Sequence, residues 1–256
     1  MRTSLLILLA LVCIPAASAA GPWLGTASNG AAGYTASVHG ATTVVGDGSA
    51  QTLSLDGKWG LPRVTLNGGV GGLSADGRRL VLAQDFNPTG ALETRSSFLV
   101  LGTKPLRVQR TVRLHGDFGF DTLSPHGRML YLIQHVSAED LFQYRVRAYD
   151  LQTGKLLKRV IADKRQRDWN MNGYPVARAA SSGGRWVYTL YSNPNNYPFV
   201  HALDTVGRTA VCIGIPWDWT TGRQAIDHST LAVRGGKLAI GARFVLDRTT
   251  FKVTRR

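Results

Sequence analysis

Six side chains could bind a ligand or take part in catalysis, because each precedes or opens an apolar, strand-like run. They are Asp117, Asp121, Tyr174, Arg178, Asp227 and His228. In such a set, the carboxylates and the imidazole could bind a sugar, the carboxylate oxygens could hold a cation, and Arg178 could clamp an anion. A structural interpretation of the same residues is favoured. Asp121 would then pair with Arg178, since buried charges are rarely left unpaired, and Asp227 would cap a turn.

The patterns of several well-known enzyme classes are missing from the sequence. The histidines outside the candidate set form neither an HExxH motif nor a His-x-His pair, and they are His39, His115, His126, His135 and His201. Without a cysteine cluster, we expect no zinc or other metal site and no cofactor. The chain has no Gly-x-Ser-x-Gly elbow and no phosphate-binding P-loop. General acid–base catalysis would need two carboxylates in different environments, and the sequence does not give their distance.

Three loop segments combine aromatic rings with polar side chains, and they span residues 168–175, 192–198 and 217–219. Rings can stack on a sugar or an apolar side chain while amides form hydrogen bonds, so these loops could contact a carbohydrate or a peptide. In the alternative interpretation, asparagine and proline form turns and the aromatic rings pack between strands.

The elements that must position these residues recur along the chain. A small-residue turn followed by a basic residue and a short apolar strand occurs four times, around Gly77, Gly127, Gly184 and Gly236. The period is roughly 50 residues, which is typical of repeat proteins. A second unit of strand, polar turn and strand lies between these turns, at 98–104, 146–157, 200–209 and 244–253, with an earlier copy at 42–48.

Each period therefore holds about four short strands bounded by turn-forming residues, which is typical of a β-propeller blade. The sequence predicts an all-β protein, a propeller of roughly five four-stranded blades spanning residues 42–256. Residues 20–41 are rich in glycine and alanine and precede that domain. We expect the first blade either to be incomplete or to be closed by pairing of the two chain ends, which removes an open sheet edge.

The segments SPHGRMLY (124–131) and AYDLQTGKL (148–156) carry a family resemblance. They resemble the YVTN and WD40-like bacterial propeller repeats, and the similarity extends over most of residues 42–254. The resemblance implies a blade and not an activity, because this group includes lactone hydrolases, quinoprotein-like domains and plain binding modules.

The amino terminus predicts export. Residues 1–19 contain a basic start, an apolar run and the small residues Ala17, Ser18 and Ala19, as a cleavable signal peptide does. We expect no transmembrane segment in the mature chain, which would be extracellular or associated with the cell wall. Cleavage would leave Cys212 as the remaining cysteine, so we expect no internal disulfide and a thiol that packs as a small hydrophobic group.

The chain is strongly basic, with 30 lysines and arginines against 16 acidic residues and a net charge of +14. Outside a cell such a charge would attract an anionic wall polymer rather than nucleic acid, although a GC-rich genome would give the same composition. The sequence thus predicts a secreted, monomeric binding or scaffold module at the cell surface. Its partner would be an anionic wall polymer, a carbohydrate or a protein. The alternative is a propeller hydrolase, lactonase-like or glycoside-cleaving, that uses Asp121, Asp227 and His228.

Overall fold

The computed structural model describes residues 26–29, 32–49, 51–84, 91–163, 170–193, 197–218 and 224–256. The signal peptide predicted at residues 1–19 lies outside these ranges. The described residues form five antiparallel sheets and one short helix, α1 (Gln224–Asp227). No helix in this part of the chain is long and apolar enough to cross a membrane.

Each sheet is built from consecutive strands, and we number the sheets as blades in chain order. Blade 1 contains β1 (Ala27–Ser28), β2 (Gly33–His39), β3 (Thr42–Gly46) and β4 (Thr52–Asp56). Blade 2 contains β5 (Trp59–Gly60), β6 (Arg79–Gln84), β7 (Arg95–Thr103) and β8 (Leu106–His115). Blade 3 contains β9 (Phe118–Leu123), β10 (Met129–His135), β11 (Gln143–Asp150) and β12 (Lys155–Leu156), with β13 (Met171–Asn172) also paired to β11.

The last two blades follow the same order. Blade 4 contains β14 (Tyr174–Ala180), β15 (Trp186–Ser192), β16 (Phe199–Asp204) and β17 (Thr209–Gly214). Blade 5 contains β18 (Leu231–Arg234), β19 (Lys237–Ile240), β20 (Phe244–Asp247) and β21 (Val253–Arg255). The protein is thus an all-β propeller of five four-stranded blades, as the repeats predict.

Blade 1 differs from its expected form. Its four strands all lie between Ala27 and Asp56, and those of blade 5 all lie between Leu231 and Arg255. Blade 1 is therefore complete, and the described strands from the two chain ends belong to separate sheets. Strands β1 and β2 come from the glycine- and alanine-rich segment 20–41, so the first sheet begins ahead of residue 42.

Four apolar clusters hold successive blades together. Val45 of blade 1 packs in one cluster with Leu80 of blade 2, and the blade 2–3 cluster contains Phe98. Equivalent clusters join blade 3 to blade 4 and blade 4 to blade 5. The face of blade 1 turned away from blade 2 instead carries exposed Thr35 and Ser54. A polar outer face on a terminal repeat keeps an array of stacked units soluble.

The first repeated unit forms the turn between the first and second strands of blades 2, 3 and 4. In each blade a serine hydroxyl accepts the backbone N–H of the residue five positions later, and the three serines are Ser74, Ser124 and Ser181. A glycine at positive φ closes each turn, namely Gly77, Gly127 and Gly184. In blade 5 the turn has two residues, and the positive φ lies at Gly235 rather than at Gly236.

The second repeated unit forms the turn between the third and fourth strands. Asp150, Asp204 and Asp247 each accept two backbone N–H groups from the residues two and three positions later. Burial would raise the pKa of Asp204, but hydrogen bonds from Arg185 and from the backbone of Gly207 and Val206 outweigh it and lower that pKa. These aspartates are therefore structural residues of the blade.

The propeller has an entry face, which we define as the face carrying the connections between blades and the loops between second and third strands. Residues 61–70 leave the first strand of blade 2 on this side and extend to blade 4, where the Leu66 amide donates to the Pro175 carbonyl over 2.9 Å. On the opposite face the turns of blades 2 and 4 meet. A Cβ added to Gly184 would lie 2.5 Å from the Cβ of Ala75. Both ends of the central channel are thus narrowed by the chain itself.

The Asp204 turn gives a stability prediction. Replacing Asp204 by alanine removes two backbone hydrogen bonds and the ion pair with Arg185 from a carboxylate that is 7% exposed. We expect the free energy of unfolding to fall by about 1–3 kcal/mol in urea denaturation, since the amides of Val206 and Gly207 lose a charged acceptor. Asp150→Ala is the matched control, because Asp150 caps the same turn in blade 3 from a more exposed position. Equal losses in the two variants would contradict the contribution of burial and the ion pair.

Candidate functional site

The six predicted residues separate into two groups by depth. Asp117, Tyr174, Asp227 and His228 lie at the entry face, where the chain leads into the first strands of blades 3, 4 and 5. Asp121 and Arg178 lie further along the first strands β9 and β14, inside the propeller. The six residues therefore do not form a single cluster.

Asp121 and Arg178 form an ion pair across the boundary between blades 3 and 4. The Arg178 guanidinium donates one bond to the Asp121 carboxylate, a second to the Asp121 carbonyl and a third to the Thr189 hydroxyl. The Asp121 side chain is 3% exposed and that of Arg178 is 16% exposed. This is the pairing that the structural interpretation predicts, and it occupies both charged groups.

Arg178 also begins a polar row that crosses blade 4. Residues Arg178, Thr189, His201 and Cys212 lie opposite one another on the four neighbouring strands. At the outer end of the row, the Asp163 carboxylate accepts the backbone N–H of Cys212 over 2.9 Å. The Cys212 thiol is only partly buried and lies 3.7 Å from the sulfur of Met171.

His201 is one of the two fully buried members of that row, with Thr189. Its side chain is 2% exposed, its Nε2 atom has no hydrogen-bond partner, and the ring lies edge-on to Tyr191. Burial lowers the pKa of His201 to about 4, because the charged form would lose its hydration. The imidazole is therefore neutral at physiological pH.

Asp117 is held by its neighbours at the entry face. Its carboxylate contacts Nδ1 of His135 at 2.9 Å and accepts the backbone N–H of Glu93 at 3.1 Å. Burial would raise the pKa of Asp117, but these two hydrogen bonds and the charge of His135 outweigh it and lower that pKa. Asp117 thus stays ionised and is bound to residues of both blade 2 and blade 3.

Tyr174 and Asp227 form the third internal pair. The Tyr174 hydroxyl lies 3.0 and 3.2 Å from the two carboxylate oxygens of Asp227, which ends helix α1. The Tyr174 ring packs against Phe142, with 5.6 Å between the ring centroids. The structural interpretation expects Asp227 to cap a turn, whereas in the structure it binds a side chain of the neighbouring blade.

His228 lines a cavity of about 310 Å³ beside blade 5. The residues around it are Trp217, His228, Ser229, Thr230, Ile240, Gly241, Ala242 and Arg243. Trp217 is 5% exposed and its indole N–H has no hydrogen-bond partner. The exposed Arg243 guanidinium lies 5.6 Å above the Trp217 ring. This cavity therefore combines an aromatic wall with hydrogen-bond donors.

Trp217 also lines a larger groove on the outer side of the propeller. The groove has a volume of about 670 Å³ and runs between the outermost strands β17 and β21. Tyr197, which is 54% exposed, and Arg255 lie along it. A ligand longer than the small cavity could therefore continue past Trp217 into the groove.

Sequence reasoning identified the 217–219 segment and His228 but missed Arg243 and Phe142. Arg243 follows the second strand of blade 5 and meets Trp217 through packing between blades, so no local pattern marks it. Residues 168, 169, 194–196 and 219 of the predicted aromatic loops lie outside the described ranges. Within those ranges, no three histidine, cysteine or acidic side chains are grouped so that they could hold a metal ion.

Comparisons with known proteins bear on the fold alone. No model of a known protein family and no curated protein matches the sequence. A protein of unknown function from Desulfotomaculum acetoxidans is similar in structure, with a TM-score of 0.53 at 11% identity, over 91% of this chain and 68% of that one. TolB from Acinetobacter baumannii matches with a TM-score of 0.44 at 14% identity, over 84% of this chain and 48% of TolB. The Cps50 (Swd1) β-propeller domain of Myceliophteria thermophila matches with a TM-score of 0.48 at 15% identity, over 91% and 69%. This chain thus spans about half the length of TolB and about two thirds of the other two.

Removing one partner of the buried ion pair gives the second prediction. In Asp121→Ala, the Arg178 guanidinium would be left without its carboxylate in a site that is largely closed to water. We expect the free energy of unfolding to fall by about 3–5 kcal/mol in urea denaturation. The double variant Asp121→Leu/Arg178→Leu removes both charges and should lose less than Asp121→Ala alone. A larger loss in the double variant would contradict this prediction. It would show that the interaction within the ion pair, and not the cost of an unpaired buried charge, accounts for the lost stability.

The buried His201 makes the stability of the fold depend on pH. As the pH falls below about 6.5, the unfolded chain takes up a proton at this histidine, whereas the folded protein does so only near pH 4. His201 is neutral in both the folded and the unfolded state above pH 6.5. We expect the free energy of unfolding to fall by about 3 kcal/mol as the pH falls from there towards 4.

Urea unfolding of His201→Leu across this range should show a weaker dependence on pH than the natural protein. His115→Leu, at an exposed position, is the control and should retain the full dependence. If the natural protein and His201→Leu have the same slope, His201 is not the titrating group.

Proposed function

We propose that this protein is an exported propeller that binds an acidic saccharide of the cell surface, a sugar chain bearing carboxylate groups, at the cavity beside blade 5. The observation that carries the proposal is the cavity itself, in which Arg243 lies over the ring of Trp217. A carboxylate can accept bonds from the guanidinium, and the adjoining sugar units can stack on the exposed ring of Tyr197 in the groove, because the Trp217 ring is nearly buried beneath Arg243.

The surroundings of the cavity support a ligand of several sugar units. The groove beyond Trp217 offers the exposed ring of Tyr197 and the charge of Arg255. Sugar-binding surfaces commonly combine such rings with a few hydrogen-bonding groups that fix orientation. The net charge of +14 attracts an anionic chain to the surface before it docks. Export, which the amino-terminal sequence predicts, would bring the protein to polymers of this kind.

Binding is better supported than hydrolysis. The alternative of a lactonase-like or glycoside-cleaving enzyme uses Asp121, Asp227 and His228 as catalytic groups. Asp121 is buried against Arg178, and Asp227 is bound by the Tyr174 hydroxyl. A glycosidase needs one carboxylate that protonates the leaving group and a second that attacks or activates water. Neither aspartate is free to act in that way, and no observation favours a catalytic role for His228.

The proposal is tested with Arg243→Gln and a short oligogalacturonate as the probe. We expect the natural protein to bind this carboxylate sugar in calorimetric titrations, and the variant to bind at least about tenfold more weakly, because its side chain is neutral. The methyl-esterified oligomer has the same sugar backbone without the charge and should bind as weakly to the natural protein as the charged oligomer binds to the variant.

Arg248→Gln is the matched control variant. The Arg248 guanidinium also lies 5.6 Å from an aromatic ring, that of Tyr188, but it donates to Gly235 in the turn on the opposite face. Its loss should leave oligogalacturonate binding unchanged, and thermal melting confirms that each variant is folded. Equal affinity of the natural protein and Arg243→Gln, or no binding by the natural protein, would overturn the proposal.

A further inference from the structure

Two arginines stand side by side on the third strand of blade 3. Arg145 and Arg147 are two positions apart on β11, so both side chains project from the same side of the sheet. This side faces blade 2, because Tyr149, the next residue in the alternation, packs in the cluster between blades 2 and 3. The two guanidiniums are thus held close together at the outer part of one blade boundary.

Neutral oxygen atoms hold both arginines in place. Nε of Arg145 donates to the amide oxygen of Asn170 over 2.6 Å. The two terminal nitrogens of Arg147 donate to the Gln134 side chain over 2.6 Å and to the Leu157 carbonyl over 2.9 Å. Neither arginine belongs to an ion pair within the described ranges. In the described part of the chain, their positive charges are therefore oriented but not paired with a carboxylate.

The arrangement has an electrostatic cost in the absence of an anion. Nε of Arg147 is buried without a hydrogen-bond partner. Burial lowers the pKa of Arg147, and repulsion from Arg145 lowers it further. An anion that accepted bonds from both guanidiniums would relieve the repulsion and stabilise both charged forms.

More positive charge continues along the same edge. Lys158 and Arg159 directly follow Leu157, whose carbonyl binds Arg147, and both are exposed. We call Arg145, Arg147, Lys158 and Arg159 the basic rim. Across the blade boundary, the Arg110 guanidinium of blade 2 lies against Gly154 of blade 3. The positive surface therefore extends over both sides of the boundary.

Five carboxylates in the described part of blade 3 interact elsewhere. Asp140 accepts the side-chain amide of Asn172, Asp150 caps its own turn, and Asp163 accepts the amide of Cys212. Asp117 binds His135 at the entry face, and Asp121 binds Arg178 in the interior. Apart from Glu139, the carboxylates in the described part of blade 3 thus serve the fold. Asp168 lies outside the described ranges.

We infer that the basic rim binds a linear phosphate-bearing polymer. A planar guanidinium forms paired hydrogen bonds with a phosphate, and the several oxygens of a phosphate can bridge two guanidiniums. Side chains two positions apart on a strand are separated by about 6.6 Å, so Arg145 and Arg147 present two charges along one line, and the exposed Lys158 and Arg159 lie next to them in the chain after Leu157. A single small ion would neutralise only part of that line, whereas a chain of phosphates meets all of it. This site lies on blade 3 and is independent of the saccharide cavity on blade 5.

The test uses the full chain and long-chain inorganic polyphosphate as the probe, with binding followed by fluorescence anisotropy. We expect Arg145→Gln/Arg147→Gln to bind at least about tenfold more weakly than the natural protein. The matched control, Arg234→Gln/Arg256→Gln, removes the same charge from exposed positions on blade 5 and should bind within about twofold of the natural protein. Equal losses in both pairs would overturn the site and leave only a diffuse effect of net charge.

Further measurements distinguish recognition by paired hydrogen bonds from attraction by positive charge alone. Arg145→Lys/Arg147→Lys keeps both charges but removes the planar fork, and we expect it to bind more weakly than the natural protein. Affinity equal to that of the natural protein would overturn recognition by paired hydrogen bonds. Polygalacturonate of equal length should compete poorly at the rim, and equal competition would overturn the choice of phosphate.

The remaining controls distinguish this inference from the proposed function. Orthophosphate should bind far more weakly than polyphosphate, and equal affinity would overturn a polymer in favour of a single ion. Arg243→Gln should bind polyphosphate normally while losing oligogalacturonate, so the two sites can fail separately. Because Arg147 is partly buried, thermal melting of every variant establishes that a loss of binding is not a loss of folding.

Discussion

Burial of two apolar sheet faces is the constraint on which the rest of this structure depends. A four-stranded sheet with both faces apolar must pack against a neighbour on each side, and the four clusters of this protein lie between successive blades. Blades 1 and 5 depart from this pattern, because each contributes to one cluster only, and the outer face of blade 1 carries serine and threonine. The blades are therefore linked in chain order. Their packing sets the position of every residue in a functional site.

The same packing determines which polar groups remain free. A charged group between two blades must be paired, because an isolated buried charge is costly. Asp121 and Arg178 satisfy each other, and neutral His201 lies in the same polar row. Residues 61–70 narrow the channel entrance above them. The acidic side chains of the interior therefore stabilise the fold. The residues that remain accessible for ligand binding lie further out, beside blade 5 and at the edge of blade 3.

Charge follows the same division of roles. Several of the acidic residues cap turns or bind within the protein, as Asp150, Asp204 and Asp247 do. Many basic residues lie at the surface, so the excess positive charge of the chain, +14 in total, is on the surface of the protein and not in its interior. Arg243 over Trp217 and the Arg145–Arg147 pair are two places where this excess is held in a defined geometry. Both proposed ligands are anions for this reason.

The sequence by itself determined the blades, because their signals are local. A serine that accepts an amide five residues later and an aspartate that accepts one two residues later need only neighbouring residues, so the repeat period predicts five sheets. Tertiary structure decided the rest. Arg178 meets Asp121 across 57 positions and Tyr174 meets Asp227 across 53, and no local pattern encodes either contact. The completeness of blade 1 and the loop 61–70 across the channel likewise depend on where the blades come to lie, since packing between distant segments is set by the whole fold.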